Sequence, residues 1–232
     1  MVGSDAFTWT PIGIVRSPYK QKFGTPRQSG LVPEAQGVIE LNPHHVPQGA
    51  LEGLEGFSHL WLFFHFHQNN QARRNGKVRP PRLQGETMGV FATRTPHRPN
   101  PMGMSLLKIE RVDPIELKIF VNGVDIVDGT PIIDIKPYIP SYDSSPIATE
   151  GWLQELHEKV YPVVWVQNPE SLLEPQTKSL IEKTLRFDLR NLEDRKKTDH
   201  NKVFKTLIED WDIHYRWTDD NVEIIGVHKM SQ

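Results

Sequence analysis

The stretch that decides the fold runs from residue 88 to residue 105 and reads Met88-Gly-Val-Phe-Ala-Thr-Arg94-Thr-Pro-His-Arg98-Pro-Asn100-Pro-Met-Gly103-Met-Ser105. It places two arginines, a histidine and an asparagine among three prolines, directly after a short strand-like run. Proline fixes its own φ and pushes the preceding residue into an extended conformation, so this backbone is stiff and its side chains point in set directions. Such stiffness favours a pocket rim that holds charged donors in place. The alternative is an ordinary edge strand and turn with solvated arginines.

A second polar block lies downstream and reads Asn122-Gly-Val-Asp125-Ile-Val-Asp128-Gly-Thr-Pro131-Ile-Ile-Asp134-Ile-Lys-Pro-Tyr138. Together the two blocks resemble the signature of the TsaA-like proteins, also called the TrmO family. Shorter stretches that carry the same resemblance, in the same order along the chain, are Ser17–Lys22, Pro26–Gln28, Gly53–Trp61 and Arg79–Leu83. Their common order across residues 10–140 argues against a chance resemblance.

The first 140 residues have a mainly β pattern. Gly, Pro and Asn residues separate segments of strand-like composition, and no long helical period lies between them. This pattern predicts an antiparallel barrel or sandwich and not a βαβ sheet, and the resemblance implies a small antiparallel β-barrel. The predicted strands are Ile12–Arg16, Gly37–Leu41, His59–His67, Thr87–Thr93, Leu106–Val112, Glu116–Val121 and Ile132–Lys136.

The pattern changes beyond a Pro/Ser-rich linker at Pro140–Pro146. The segments that follow predict a small α+β C-terminal appendage: a strand at Tyr161–Val166, a helix at Pro169–Phe187, and a meander over Val203–Ile208, Trp211–Thr218 and Val222–His228. We therefore expect two domains. The first, residues 8–145, is the TsaA-like barrel, which the resemblance implies binds S-adenosylmethionine. The second, residues 146–232, is the α+β appendage, for which a tRNA contact is the expected role.

Composition limits the possible functions. Only 37% of the 232 residues are hydrophobic, and no apolar run approaches the ~20 residues of a membrane-spanning helix. With no signal-like N-terminus, we expect a cytoplasmic protein without membrane contact. The chain has no cysteine, which excludes disulfides, thiol catalysis and cysteine-ligated metal. It also lacks a glycine-rich dinucleotide motif and a P-loop, so a Rossmann nucleotide site is unsupported.

Positive charge is concentrated in the first half of the chain. The net charge is −2 overall, but residues 1–110 carry +5 and the remainder −7. Phosphate binding depends on a local patch and not on the overall isoelectric point. The segment from residue 73 to residue 98 contains seven basic residues and one acidic residue, Glu86. The basic residues are Arg73, Arg74, Lys77, Arg79, Arg82, Arg94 and Arg98. This basic patch favours an anionic partner, although Arg73–Lys77 taken alone could be a solvated loop.

The run from His59 to Gln68 suggests three different roles for its histidines. On a strand, His65 and His67 would share a face, and such a pair can ligate a metal. A metal site needs further ligands, and no carboxylate stands at a diagnostic spacing. The other two interpretations are a structural role for the histidines and a cofactor contact by His67 and Gln68. The alternate residues Leu60, Leu62, Phe64 and Phe66 should pack the core.

Asp125 and Asp128 stand three residues apart before a Gly-Thr-Pro turn. An aspartate at such a place can simply accept backbone N–H groups. A carboxylate also suits a sulfonium or an amino group, and turn amides suit a ribose or a carboxylate. Both readings stay open from the residues alone.

The family resemblance implies an S-adenosylmethionine-dependent tRNA methyltransferase that acts on N6 of threonylcarbamoyladenosine next to the anticodon. It also implies which residues line the cofactor pocket: Pro26, Arg27, Gln28, His67, Gln68, Arg94, Met104, Asp128, Gly129, Thr130 and Pro131. Arg98 and Asn100 are expected to order the loop. No metal is expected, and the group that accepts the proton is not identifiable from the chain.

The resemblance weakens in the appendage. Bacterial tRNA enzymes of the family often carry an Asp-Pro-Arg-Pro-x-Tyr run, whereas this chain has Asp188-Leu-Arg190-Asn-Leu-Glu193. Asp188 and Arg190 of this run are retained. Together with the basic patch they give the candidate tRNA contacts, which are Arg73, Arg74, Lys77, Asp188 and Arg190. A non-catalytic S-adenosylmethionine- or RNA-binding protein, and a metal-dependent β-barrel enzyme that uses His65 and His67, remain alternatives.

A homodimer is also expected. A small barrel offers a shallow cleft, and burying a flat adenosyl group usually takes a second wall. Family members are dimers with the cofactor site close to the interface, which the resemblance carries over to this chain. The segment Ser17–Leu31 has no periodic pattern and is a candidate arm. It would bring Pro26–Gln28 near the partner's Arg94–Gly103 loop.

Overall fold

The computed structural model describes residues 8–69, 76–83, 85–154, 156, 159–166, 169–190, 192–196 and 199–230. In the first part of the chain its strands are β1 (Gly13–Arg16), β2 (Gln36–Leu41), β3 (His59–His65), β4 (Lys77–Val78), β5 (Met88–Gly89), β6 (Met102–Asp113), β7 (Lys118–Asn122) and β8 (Thr130–Pro137). Within the described residues, six of them close into a barrel in the order β1-β2-β7-β6-β3-β8. Every pair in the barrel is antiparallel. The predicted mainly β fold with a small antiparallel barrel is confirmed.

Strand β3 shows why the barrel closes around a dry core. Side chains alternate across a strand, so Leu60, Leu62 and Phe64 point inward and are buried, as their spacing predicted. Phe66, beyond the strand, is only partly buried against the core. The ring of Phe64 lies so close to Gly103 that a Cβ there would stand 2.3 Å from its Cζ atom. Residue 103 must therefore be glycine for β3 and β6 to pack at this register.

Two strand predictions in this region are wrong in part. The predicted strand Thr87–Thr93 shrinks to Met88–Gly89 because residues 90–92 form a 3-10 turn. The Thr93 N–H and hydroxyl both donate to the Val90 carbonyl, at 3.3 and 2.9 Å. The barrel position is taken by β6, which begins at Met102, earlier than predicted. The predicted strand His59–His67 ends at His65, because the His67 N–H turns back to the His65 carbonyl at 2.7 Å.

The C-terminal part combines a sheet with one longer helix. Its elements are α1 (Pro140–Asp143), β9 (Val163–Trp165), α2 (Pro175–Leu185), α3 (Leu192–Lys196), β10 (Phe204–Ile208), β11 (Trp211–Trp217) and β12 (Val222–Lys229). The predicted meander β10-β11-β12 is present, and β9 joins β12 in parallel. The predicted helix Pro169–Phe187 is shorter than expected, since α2 begins with a proline in its first turn, where the missing N–H costs nothing.

Residues 17–31 pack against the appendage of their own chain. Tyr19 is almost completely buried and pairs with Ile208 in an isolated bridge, and its hydroxyl lies 3.2 Å from the Thr184 hydroxyl. The Glu209 N–H donates to the Pro18 carbonyl at 2.7 Å, and the Thr206 hydroxyl donates to the Phe23 carbonyl at 2.9 Å. One continuous apolar core therefore joins barrel and appendage. The first half of the predicted arm is used within the chain.

Among the described residues, no helix combines the length and the apolar character that crossing a bilayer would require.

Candidate cofactor and RNA site

The alternation of strand direction brings three connections together at one mouth of the barrel. Strands β1, β3 and β7 end there, and β2, β6 and β8 begin there. The connections 17–35, 66–101 and 123–129 therefore meet at this mouth. All the predicted cofactor residues lie on these connections or at the first residues of β6 and β8, namely Pro26, Arg27, Gln28, His67, Gln68, Arg94, Met104, Asp128, Gly129, Thr130 and Pro131.

Gln28 and Arg94 are in direct contact at the mouth. The Arg94 guanidinium donates to the Gln28 side-chain oxygen at 2.7 Å, so two of the predicted cofactor residues meet across two loops. The expected approach of Pro26–Gln28 to the Arg94 loop thus occurs within one chain and needs no second copy.

Arg98 orders the loop that carries Arg94. Its guanidinium donates to the Thr93 carbonyl at 2.7 Å and to the Val90 carbonyl at 3.4 Å. From the appendage side, the Trp152 indole N–H donates to the Ala92 carbonyl at 2.7 Å. The expectation that Arg98 orders the loop is confirmed, and these bonds hold the Arg94 backbone in place before any ligand arrives.

The Asp128 turn has an evident structural role. The Asp128 carboxylate accepts the Ser17 N–H at 2.9 Å and lies 3.2 Å from the Lys20 ammonium. Its own N–H donates to the Tyr19 carbonyl at 2.8 Å. Gly129 adopts a φ of 74°, and the buried Thr130 hydroxyl donates to the Val127 carbonyl at 2.5 Å. These bonds fit the reading of an aspartate that forms a turn, and the cofactor role of residues 128–131 stays a prediction.

His67 and Gln68 follow the end of β3 at the mouth. The Lys22 ammonium donates to the Gln68 carbonyl. Partial burial lowers the pKa of His67, and the charges of His65 and Lys22 act in the same direction. Because the strand ends at His65, the two histidines do not share a strand face, which removes the geometry on which the metal alternative rested. No cluster of metal-ligating side chains occurs in the part of the chain that the structure describes.

Met104 faces outward from the barrel wall. Its side chain is 46% exposed and that of Met102 is 45% exposed. Phe63, the neighbour of Met104 in β3, lies on the same outer face. Pro26, by contrast, is buried, and Pro131 is partly exposed at the start of β8.

Asp125, which the sequence offered with Asp128 as a turn former or a carboxylate for a positive charge, is the one of the two that the predicted cofactor residues leave out. Its carboxylate accepts a hydrogen bond of 2.6 Å from the Ser105 hydroxyl, and Ser105 is buried on the inner face of β6. Burial raises the pKa of Asp125 to about 6, although the Ser105 bond and the Arg94 charge pull it downward. The register of β6 with β7 could have indicated this pair, because Lys108 opposes Asn122, and three further steps bring Ser105 opposite Asp125.

In the appendage, Asp188 gathers two arginines. Its carboxylate binds the Arg190 guanidinium in two places, at 2.9 and 3.0 Å, and lies 3.3 Å from the Arg195 Nε atom. From the barrel side, Arg27 donates to the Arg190 carbonyl at 3.3 Å. Burial lowers the pKa of Arg27 to about 10, and the charge of Arg195 adds to the effect. Arg27 therefore faces the appendage, while its neighbour Gln28 faces Arg94.

A polar cleft of about 160 Å³ opens beside these arginines. The Arg190 guanidinium lies 4.4 Å from the centre of the Trp217 ring, and the buried Trp217 indole N–H has no acceptor among the described residues. The cleft is lined by Tyr161, Arg190, Arg195, Asp199, His200, Trp217, Thr218 and Asp219. Of the other predicted tRNA contacts, Lys77 is exposed in β4, and Arg73 and Arg74 lie outside the described residues.

The groups at the barrel mouth fit an adenosyl-sulfonium cofactor. S-adenosylmethionine carries a carboxylate, an ammonium group and a sulfonium cation. The Arg94 guanidinium and the Gln28 amide suit a carboxylate or a base edge, and the Asp125 carboxylate suits nearby positive charge. Gly129 leaves open space, because nothing lies within 4 Å of where its Cβ would be.

Comparison with known proteins gives this architecture a family. The profile of the tRNA-methyltransferase O N-terminal domain matches residues 14–144, more than half of the chain. The protein therefore belongs to the tRNA-methyltransferase O family. It is 39% identical to the tRNA (adenine(37)-N6)-methyltransferase of Escherichia coli, over 96% of this chain and 98% of that protein.

Two further matches differ in how much of the chain they cover. A putative S-adenosylmethionine-dependent methyltransferase of Pseudomonas aeruginosa is 54% identical, over 60% of this chain and 58% of that protein. A crystal structure of TrmO from Pseudomonas aeruginosa matches with a TM-score of 0.79 and 31% identity, covering 99% of this chain and 100% of that one. The similarity in structure thus includes the appendage.

Removing the charge of Asp188 should destabilise the appendage. Asp188→Asn keeps the shape of the side chain but removes the negative charge that two largely buried guanidinium groups share. We expect a loss of about 3 kcal/mol in the free energy of unfolding, the lower end of the cost of breaking a buried pair. Urea unfolding measures it. Asp219→Asn is the control, since that side chain is 77% exposed, and equal stabilities of the two variants would contradict the prediction.

Proposed function

We propose that this protein is an S-adenosylmethionine-dependent methyltransferase that methylates N6 of threonylcarbamoyladenosine next to the anticodon of tRNA. The observation that carries the proposal is the similarity to the Escherichia coli tRNA (adenine(37)-N6)-methyltransferase over 96% of the chain. It spans both the mouth with its Gln28–Arg94 contact and the appendage with its paired arginines. Such an enzyme would work in the cytoplasm, where tRNA is modified.

The chemistry fits a site built to position its reactants. S-adenosylmethionine, when bound, supplies an activated methyl group on a sulfonium and needs no metal for that. The acceptor nitrogen is urea-like, so its lone pair is delocalised and it is a poor nucleophile. Catalysis then depends on alignment of the reacting atoms and on removal of one proton. The stiff loop 94–103, supported by Arg98, is suited to the first task.

A direct assay tests this function. Purified protein, S-adenosylmethionine and tRNA that carries threonylcarbamoyladenosine should yield the N6-methylated nucleoside by mass spectrometry, whereas tRNA with unmodified adenosine should not react. Binding of both partners without any methylated product would support the non-catalytic binding protein instead. That alternative draws on Leu189 and Glu193, which stand where the family's run has a proline and a tyrosine.

Cofactor binding should survive removal of metal and should depend on Arg94. Chelator-treated protein is expected to bind S-adenosylmethionine in a calorimeter. Arg94→Ala should weaken that binding by roughly 1–3 kcal/mol if the guanidinium makes a charge-assisted contact with the ligand. Arg111→Ala is the matched control, because Arg111 is an exposed arginine toward the opposite end of the barrel. Equal affinities of the two variants would place the cofactor away from Arg94.

Binding of tRNA should depend steeply on salt through the basic patch. Changing Arg73, Arg74 and Lys77 together to Ala should lower the slope of log affinity against log salt by about one for each lost phosphate contact, with cofactor affinity unchanged. The control triple is Lys108, Arg111 and Lys118, in β6 and β7. If only the control triple altered the slope, the RNA surface would lie on that side of the barrel.

We also propose that the protein is a homodimer. The outer face of β3 and β6 supports this, because Phe63, Met102 and Met104 form an apolar surface there, and exposed apolar patches mark interaction sites. Light scattering should give about twice the 26.7 kDa chain mass, and Met104→Lys should shift the protein toward the monomer. A monomer mass for the wild-type protein with full activity would refute the dimer.

A further inference from the structure

The pair formed by the half-buried Asp125 and the buried Ser105 has no role yet in the proposed reaction. The Ser105 hydroxyl donates to one Asp125 oxygen at 2.6 Å, at the inner rim of the mouth where the 123–129 connection meets β6. A carboxylate removed from water is costly unless it is compensated. The Ser105 hydroxyl, the backbone N–H groups of Asp125 and Ser29 and the Arg94 charge compensate it only in part, because desolvation still has the largest effect. Perturbed carboxylates of this kind concentrate at functional sites.

The groups around Asp125 place it beside the predicted cofactor residues. Arg94, whose charge acts on Asp125, also holds Gln28. The Ser29 backbone N–H acts on the same carboxylate. Tyr19 is the other titratable group that interacts with it, and burial raises the pKa of Tyr19, so its phenol is neutral. The charge that acts on Asp125 most strongly is thus the guanidinium of Arg94.

The other carboxylate and the histidine of the mouth are less suited to accept a proton. Asp128 already accepts the Ser17 N–H and pairs with Lys20, so its carboxylate oxygens are engaged in the turn. His67 has a lowered pKa and is partly buried in the connection that follows β3. It remains the competing acceptor that an experiment must exclude.

We propose that Asp125 accepts the proton that leaves N6 during methyl transfer and that Ser105 positions its carboxylate. The nitrogen lone pair forms the new N–C bond, the S–C bond breaks with its electrons going to sulfur, and the N6 proton passes to the Asp125 oxygen. The products are the methylated nucleoside and S-adenosylhomocysteine, and Asp125 then releases the proton to water. This step rests on the proposed function.

Three variants test the proton transfer itself. Asp125→Asn keeps the size of the side chain and should lower the single-turnover methylation rate by roughly 100-fold or more, the usual contribution of a general base, with cofactor and tRNA affinities within about threefold of wild type. Asp113→Asn, a carboxylate removed at the far end of β6, should keep the wild-type rate. His67→Gln should keep the low-pH limb of the rate profile.

Ser105→Ala distinguishes a positioning role from a structural one. The Ser105 hydroxyl favours the charged carboxylate, so its loss should raise the pKa of Asp125. The midpoint of the pH–rate profile should therefore move to higher pH, and the rate on the high-pH plateau should be largely retained. An unchanged midpoint would overturn the role of Ser105.

A stability measurement tests Asp125 without any turnover. Burial disfavours the charged carboxylate, so the fold should lose stability as pH rises from about 4, the ordinary pKa, to about 6, the pKa in the folded protein. The unfolding free energy of Asp125→Asn relative to wild type should rise over this interval and stay constant above it. A flat difference would overturn the proposal, because Asp125 would then titrate like an exposed aspartate.

The remaining outcomes separate the step from the function. An active wild type with an equally active Asp125→Asn overturns the proton-transfer step alone. Loss of cofactor affinity in Asp125→Asn assigns this carboxylate to cofactor binding and also overturns the step, as does loss of the low-pH limb in His67→Gln. An inactive wild type overturns the proposed function itself.

Discussion

Closure of the six antiparallel strands is the constraint from which the site follows. In a closed antiparallel barrel, alternate connections emerge at opposite ends, so chain order alone sends residues 17–35, 66–101 and 123–129 to the same mouth. The 66–101 connection is by far the longest, and at its C-terminal end it enters β6 through Gly103, where the Phe64 ring leaves no room for a Cβ. The tight packing of β3 on β6 therefore fixes where the Arg94 loop returns to the barrel.

The first connection links the mouth to the appendage. Tyr19 is buried against the sheet and α2 of the C-terminal part. Two residues before it, the Ser17 N–H donates to the Asp128 carboxylate. Further along, neighbouring side chains diverge, with Arg27 reaching Arg190 and Gln28 reaching Arg94. A short stretch of backbone thus connects the proposed cofactor site with the arginines of the appendage.

Three aspartates of the site region carry different roles because their surroundings differ. Asp188 is held between two guanidinium groups, and Asp128 accepts a backbone N–H beside Lys20. Asp125 has no cation in direct contact among these bonds and is compensated by the Ser105 hydroxyl, by backbone N–H groups and by the charge of Arg94. The same residue type therefore organises an ion pair, closes a turn and keeps a raised pKa within one small protein.

The sequence by itself determined the features that depend on local periodicity. The alternation in β3 predicted its buried face, the meander β10-β11-β12 was readable from its strand composition, and the stiffness of residues 94–103 followed from the prolines. Tertiary structure decided the features that depend on distant partners. It limited β5 to Met88–Gly89, because β6 and not β5 pairs with β3 in the barrel. It also placed the segment 17–31 against the appendage. It also separated Asp125 from Asp128, since only the register of β6 and β7 brings one of these two carboxylates opposite a buried serine.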